Sequence, residues 1–315
     1  MHSTLAARAV QSPSSPSGIY TICPTPFDAQ GQVDEAAIRT LTDFQVAAGV
    51  SGLAVLGFLG ELHKLSNAER RQVIAAYVRA AAGRVPVWTG VRALGIAGAV
   101  EQCVEAQELG AAAVFAAPLD GASDALQFEY YSTLARAVRI PVVIHDFPDS
   151  FSTEISAEVI ARLAAEGGVD TIKMEEPPVG QKITRILELS GQGVKIFGGL
   201  GGVYFLEELQ RGAIGTMTGF AFPEILVRIF DQYAAGDTAG AAATFDRYCP
   251  LIRYEFQPKM GLAMRKYVYQ RRGLIGSAAL RSPAMRMDPV TAAELEAVVA
   301  RVGLDITSSA PLRIA

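Results

Sequence analysis

The sequence predicts a (β/α)8 TIM barrel with a C-terminal helical extension. Three observations carry this expectation. Eight short apolar runs recur along the chain, and each is followed by a helix-like stretch. The runs are continuously apolar rather than alternating, which suits parallel strands covered by helices. A chain of 315 residues, 50% of them hydrophobic, can bury one core of that size. A doubly wound open sheet is the alternative. It is disfavoured because no G-x-G-x-x-G turn follows the first run.

The eight strand candidates are, in order, GIYTICPTPF (18–27), GLAVLG (52–57), VPVWTGV (85–91), AAAVFAAP (111–118), IPVVIHDF (140–147), VDTIKMEE (169–176), VKIFGGL (194–200) and IGTMTGF (214–220). Several of the stretches between them open on a capping residue, as in SNAERRQVIAAYVRAAAG and STEISAEVIARLAAEG. After Phe222 only helical patterns remain, at about 223–235, 238–254, 257–272 and 291–303. The expected organisation is a lead-in over 1–17, a barrel over 18–236 and a helical extension over 237–315.

Composition narrows the function. The net charge is −4 and no Lys/Arg block appears, so nucleic acid is not an expected partner. No apolar run reaches the ~18 residues that a membrane helix needs. Residues 1–17 are small, polar and rich in Pro and Ser, without the apolar stretch of a signal peptide, and read as a disordered lead-in. Cys23, Cys103 and Cys249 are scattered, with no C-x-x-C spacing. They imply neither a disulfide framework nor a zinc site, and fit a reducing cytoplasm. No HExxH, Asp/His cluster or P-loop points to a metal or nucleotide cofactor.

In such barrels the reactive groups sit at the C-terminal ends of the strands. Strand six ends on Lys173, Glu175 and Glu176. Only six of the 28 basic residues are lysines, so a lysine on a core strand is not there by default. The side-chain period of two puts Lys173 and Glu175 on one face and Glu176 on the other. Burial depresses a lysine pKa and makes the amine a nucleophile for carbonyl carbons. A structural Lys–Glu pair is the competing reading. Lys195 begins its strand and belongs to the bottom face, where residues serve stability.

Strand five ends on His145, Asp146, Phe147 and Pro148. His145 suits an acid/base or carboxylate-binding role, against the alternative of a hydrogen-bonded core histidine. Asp146 alternates to the other face. The strand-two turn runs Gly57, Phe58, Leu59, Gly60, Glu61. Its exposed N–H groups suit a carboxylate, although an ordinary turn with Glu61 in a hydrogen bond reads equally well. The glycines after strands seven and eight leave room at the mouth, and Thr218 is a candidate donor to a ligand. No basic residue accompanies those glycines, which disfavours a phosphorylated substrate.

The set as a whole resembles the dihydrodipicolinate synthase / N-acetylneuraminate lyase family of Schiff-base barrels. It rests on PTPF after strand one, the Gly57-x-x-Gly60-Glu61 turn with LSNAER behind it, Pro148, Lys173, GTMTGFAFPE after strand eight and RSP at 281–283. The resemblance implies Lys173 as the Schiff-base lysine for a 2-keto acid. It implies no cofactor beyond that covalent link, and a homotetramer or homodimer. The departures are specific. Phe58 and Leu59 replace the two hydroxyl residues of the turn, and His145 stands where the family carries its proton-shuttling tyrosine. Pro118-Leu119-Asp120 replaces a second relay tyrosine, and no arginine follows Pro148. Lysine biosynthesis and sialic acid cleavage are therefore not expected.

Lys173-Met174-Glu175-Glu176-Pro177 resembles instead the K-x-E-x-P of an L-2-keto-3-deoxyarabonate dehydratase branch. That branch also uses a glutamate after strand seven. Here Val203 and Tyr204 occupy the region, and the nearest acids are Glu207 and Glu208. The expected reaction is dehydration of a 2-keto-3-deoxy sugar acid, with Glu175 as base and His145 or water as acid. A pyruvate-releasing retro-aldolase, or a hydratase-aldolase for which Phe58 and Leu59 leave room, is the alternative. So is a binding protein that has lost catalysis.

Overall fold

The computed structural model describes residues 15–314. Most of the lead-in expected over 1–17 lies outside the described residues.

Eight parallel strands close on themselves in sequence order. They are β1 (Gly18–Ile22), β2 (Gly52–Val55), β3 (Val87–Val91), β4 (Ala113–Ala116), β5 (Val142–Asp146), β6 (Thr171–Met174), β7 (Lys195–Gly198) and β8 (Gly215–Thr218). All are shorter than the apolar runs that announce them. Proline is one reason: Pro24, Pro26 and Pro118 lack the N–H that would continue a ladder. The runs spill into the loops at the two barrel ends, which are buried in part, as at Cys23, Thr25 and Ala117.

The outer helices are α1 (Glu35–Ala47), α2 (Asn67–Ala81), α3 (Ile96–Glu108), α4 (Asp124–Ala137), α5 (Pro148–Phe151), α6 (Ala157–Arg162), α7 (Val179–Ser190), α8 (Phe205–Gln210) and α9 (Pro223–Ala234). The predicted capping signal of α2 is real. The Ser66 side chain takes the Glu69 N–H, and the Glu69 carboxylate takes the Ser66 N–H. The helical extension follows as α10 (Thr238–Glu255), α11 (Gly261–Arg271) and α12 (Pro289–Arg301). It shares one apolar core with the barrel helices: Ile252, Met264 and Leu295 cluster with Ile38, Val73 and Ile225.

Inside the barrel, Tyr20, Trp88, Phe115, Val143, Phe197 and Met217 form a packed plug. Tyr20 and Trp88 pack as tilted rings with centroids 4.3 Å apart. This plug is the apolar floor on which the polar residues of the mouth rest.

Candidate active site

Strand register brings the centre together. β5 and β6 pair so that His145 lies directly opposite Lys173, and β7 places Phe197 on the other flank of Lys173. His145 follows inward-facing Val143 by two residues, so both His145 and Lys173 point into the barrel. Glu175 lies one residue beyond the end of β6. Its N–H donates to the Asp146 carbonyl at 2.8 Å, which carries the β5–β6 pairing past the strand end. The expected sharing of a face by Lys173 and Glu175 is what the structure shows.

The three side chains touch one another. Lys173 Nζ lies 2.9 Å from His145 Nε2, and His145 Nε2 lies 3.0 Å from Glu175 Oε2. Lys173 Nζ also donates to Glu175 Oε2. The other carboxylate oxygen, Oε1, accepts the Leu200 N–H at 2.9 Å. All three residues are buried, at 4–5% exposure. One imidazole nitrogen cannot serve both neighbours at once: protonated it donates to Glu175, unprotonated it accepts from Lys173. The contact is therefore a place where one proton has more than one address.

Burial sets the protonation states. It lowers the Lys173 pKa, against the pull of Glu175, and the Arg265 charge adds to the lowering. Burial also lowers His145, with help from Lys173, to about 4, so the imidazole is neutral at physiological pH. The Glu175 pKa is lowered as well, but against burial rather than by it. Burial would raise it, but Lys173 and His145 override burial and hold it at about 2.

Around His145 stands an aromatic wall. Phe151 lies 4.9 Å from the imidazole and Phe147 6.2 Å, between ring centroids. Phe58 packs on both of them. Arg92, after β3, sits over the Phe58 and Phe151 rings at 5.7 and 5.1 Å. A narrow opening here is lined among others by Gly57, Phe58, Arg92, Phe115, His145 and Phe151. Arg92, Phe147 and Phe151 were not read from the sequence as site residues. Aromatic residues after a strand look like core until the chain is folded.

The other expected residues divide. The turn Gly57–Gly60 does reach the mouth, with Gly57 and Phe58 on that opening and Leu59 packed against the barrel interior. Glu61 takes the structural alternative: its carboxylate is fully buried and holds Lys266 Nζ at 2.8 Å and the Arg281 N–H at 2.9 Å. It thereby ties the turn to the helical extension. Thr218 is a correction. Met217 is the β8 residue that joins the interior plug, so alternation turns Thr218 to the helical layer, away from the mouth. Lys195 pairs with Asp170 at the start of its strand, as expected of a bottom-face residue.

The glycines after β7 are not vacant room. A Cβ on Gly199 would collide with Glu175, and one on Gly198 with Glu208. Glu208 therefore lies on the opposite side of β7 from Glu175. Burial, with Glu175 adding to it, pushes its pKa up to about 8. The Gly199 N–H offsets part of this without an ordinary hydrogen bond to the carboxyl. Glu207 is exposed. Neither acid reaches the Lys173 cluster from the mouth.

Comparison with known proteins agrees with this geometry. Residues 15–302 match the model of the dihydrodipicolinate synthetase family. An L-2-keto-3-deoxyarabonate dehydratase of Azospirillum brasilense is 32% identical, with 90% of this chain and 94% of the relative covered. A 4-hydroxy-tetrahydrodipicolinate synthase of Hyphomonas neptunium is also 32% identical, covering 89% of this chain and 96% of the relative. Among solved structures, a dihydrodipicolinate synthase from Rhodopseudomonas palustris superposes with a TM-score of 0.85 at 34% identity, over 91% of this chain and 97% of that one. With a closed barrel, a buried lysine at the end of β6 and these likenesses in hand, the chain belongs to the dihydrodipicolinate synthetase family and is a lyase of that family.

Proposed function

We propose that the chain is a Schiff-base lyase that dehydrates a 2-keto-3-deoxy sugar acid. The observation that carries this reading is the Lys173–Glu175–His145 triangle, in which a base and a proton relay stand where the reacting carbons would be. Lys173, as the free amine, attacks the C2 carbonyl, and water leaves to give an iminium. Glu175 removes a proton from C3, and the electron pair flows to the iminium nitrogen as an enamine. The enamine expels the C4 hydroxyl, which departs as water with a proton delivered from the cluster.

A carboxylate held near pH 2 is at first sight a poor base. The cation that holds it there is the nitrogen of Lys173, and forming the enamine neutralises that nitrogen. Glu175 thus becomes more basic as the proton arrives. His145, neutral above about pH 4, fits passing a proton better than donating one as an imidazolium. The strand-two turn Gly57–Gly60 remains the candidate cradle for the substrate's carboxylate end, and no cofactor is required. The likeness to the A. brasilense dehydratase supports the choice of dehydration.

The aromatic wall of Phe58, Phe147 and Phe151 favours a second reading. In it the same iminium serves a pyruvate-releasing aldolase or hydratase-aldolase on an aryl-bearing keto acid. The reading also carries a cytoplasmic homotetramer or homodimer, which light scattering on the purified chain measures.

Borohydride trapping over a panel of 2-keto acids, read by mass spectrometry, tests the covalent step. The expected result is an adduct on the Lys173 peptide whose mass identifies the substrate. Absence of any adduct there overturns the mechanism. Product analysis then separates a semialdehyde of unchanged carbon number from pyruvate plus an aldehyde.

A further inference from the structure

Arg265 comes from α11 in the helical extension, yet it is buried to 5% exposure. Its Nε donates to Glu255 Oε1 at 2.8 Å. Among the described residues no oxygen takes its two Nη groups in a hydrogen bond. Glu255 is itself occupied, because it also accepts the Ala221 N–H at 3.0 Å. The guanidinium is therefore held by one edge with its fork left open. Buried N–H donors left without an acceptor are costly unless a further acceptor completes them.

One arm of the open fork, Nη1, lies beside the mouth. Gly219 follows Met217 by two residues and so faces inward at the end of β8. A Cβ at Gly219 would lie 2.5 Å from Leu59 Cδ1 and 3.6 Å from Arg265 Nη1. Arg265 therefore stands beside the strand-two turn, at a spot kept clear by a glycine. Gly261, at the start of α11, keeps the other side clear, with Nη1 again 3.6 Å from its Cβ position. Phe58 and Leu59 bring no polar side chain of their own to this turn. Charge also links the groups: Arg265 acts on Lys173, and Glu175 on Arg265.

We propose that Arg265 receives the carboxylate of the bound 2-keto acid, pairing with it through the Nη fork that Glu255 leaves open. This rests on the reading that the substrate is a 2-keto acid condensed on Lys173. A planar fork suits a planar carboxylate bidentately, which a lysine cannot reproduce. It also explains why a residue of the extension enters the barrel mouth at all.

The test removes the covalent step, so that the two proposals fail separately. Pyruvate binding is measured calorimetrically on the Lys173→Ala protein and on Lys173→Ala combined with Arg265→Lys or with Arg265→Met/Glu255→Gln. The last pairing avoids leaving a buried carboxylate without its cation, and circular dichroism checks that each variant is folded. The expected result is a dissociation constant raised at least about tenfold by either change at Arg265, with methyl pyruvate unaffected. Overturning results are an unchanged constant in the folded Arg265 variants, equal weakening of methyl pyruvate, or no pyruvate binding to the Lys173→Ala protein. Trapping on the intact Lys173 enzyme reads the Schiff base independently of all three.

Discussion

Two lysine–carboxylate clusters hang from the same pair of strands, one residue apart in the alternation. The inner one joins His145, Lys173 and Glu175. The outer one joins Asp146 and Glu176 to Lys182 of α7, with Lys182 Nζ 2.8 Å from Asp146 Oδ2. The ingredients are nearly the same. The surroundings are not. The inner cluster rests on an aromatic floor inside the barrel, with His145 lining the opening at the mouth, and each of its members is a near neighbour of the other two. The outer cluster lies between the barrel wall and the helices, where its lysine spans from α7 to the strand ends and lines, with Glu176, a separate groove on the outside of the barrel. Burial raises the Asp146 pKa to about 7, and Lys182 opposes the rise. Chemical composition alone therefore does not separate a reaction centre from a tether. Which face of the strand carries it does.

The largest expected effect breaks the comparison if it fails. Lys173→Ala should abolish both turnover and borohydride trapping, whereas Lys182→Ala should leave the trapped mass on the Lys173 peptide. Loss of the adduct in a folded Lys182 variant would show that the outer cluster takes part in the chemistry. Next come the acids. Glu175→Gln should lower kcat by about 10²–10⁴-fold while trapping persists, the size expected of a positioned acid–base group. Glu176→Gln should change kcat by no more than about twofold to fivefold, because its side chain pairs with Lys182 outside the barrel and faces away from its interior. Steady-state rates with the trapped substrate decide both.

Stability should show the reverse ranking. Lys182→Met removes a partner of a buried carboxyl and should cost about 1–3 kcal/mol in denaturant unfolding, without changing the adduct. The last effect concerns Glu208 and is read only as a dependence on pH. Its folded-state pKa is raised from 4.5 to about 8, so the folded protein binds more protons than the unfolded chain between those values. Its contribution to stability is complete below about pH 4.5 and lost as pH rises through about 8. Glu208→Gln cannot ionise and should flatten the fall in melting temperature over that window. An identical pH profile in the variant would mean that the acid is ionised in the folded state.

Much of the inner cluster was legible because the signals are local. Continuous apolar runs mark strands that are covered on both faces, and the period of two ties Lys173 to Glu175 without reference to any other part of the chain. The same rule misled where it had no anchor. Thr218 looked like a donor because it ends a strand, but only the plug formed by Met217, Phe197 and Tyr20 shows which face of β8 points inward. The glycines after β7 looked like room for a ligand. They are the room that Glu175 and Glu208 occupy.

By itself, then, the sequence determined the eight β/α units, the helical extension, the lysine and the acid beside it. All of these follow from patterns a few residues long. Tertiary structure alone decided the partners that arrive from a distance. It set His145 opposite Lys173 through the β5–β6 register, and folded Phe147 and Phe151 over the imidazole. It tied Glu61 to Lys266 across the chain and carried Arg265 from the extension to the edge of the mouth. The physical reason is that barrel closure and helix docking set these distances, and no local period encodes where two far segments meet.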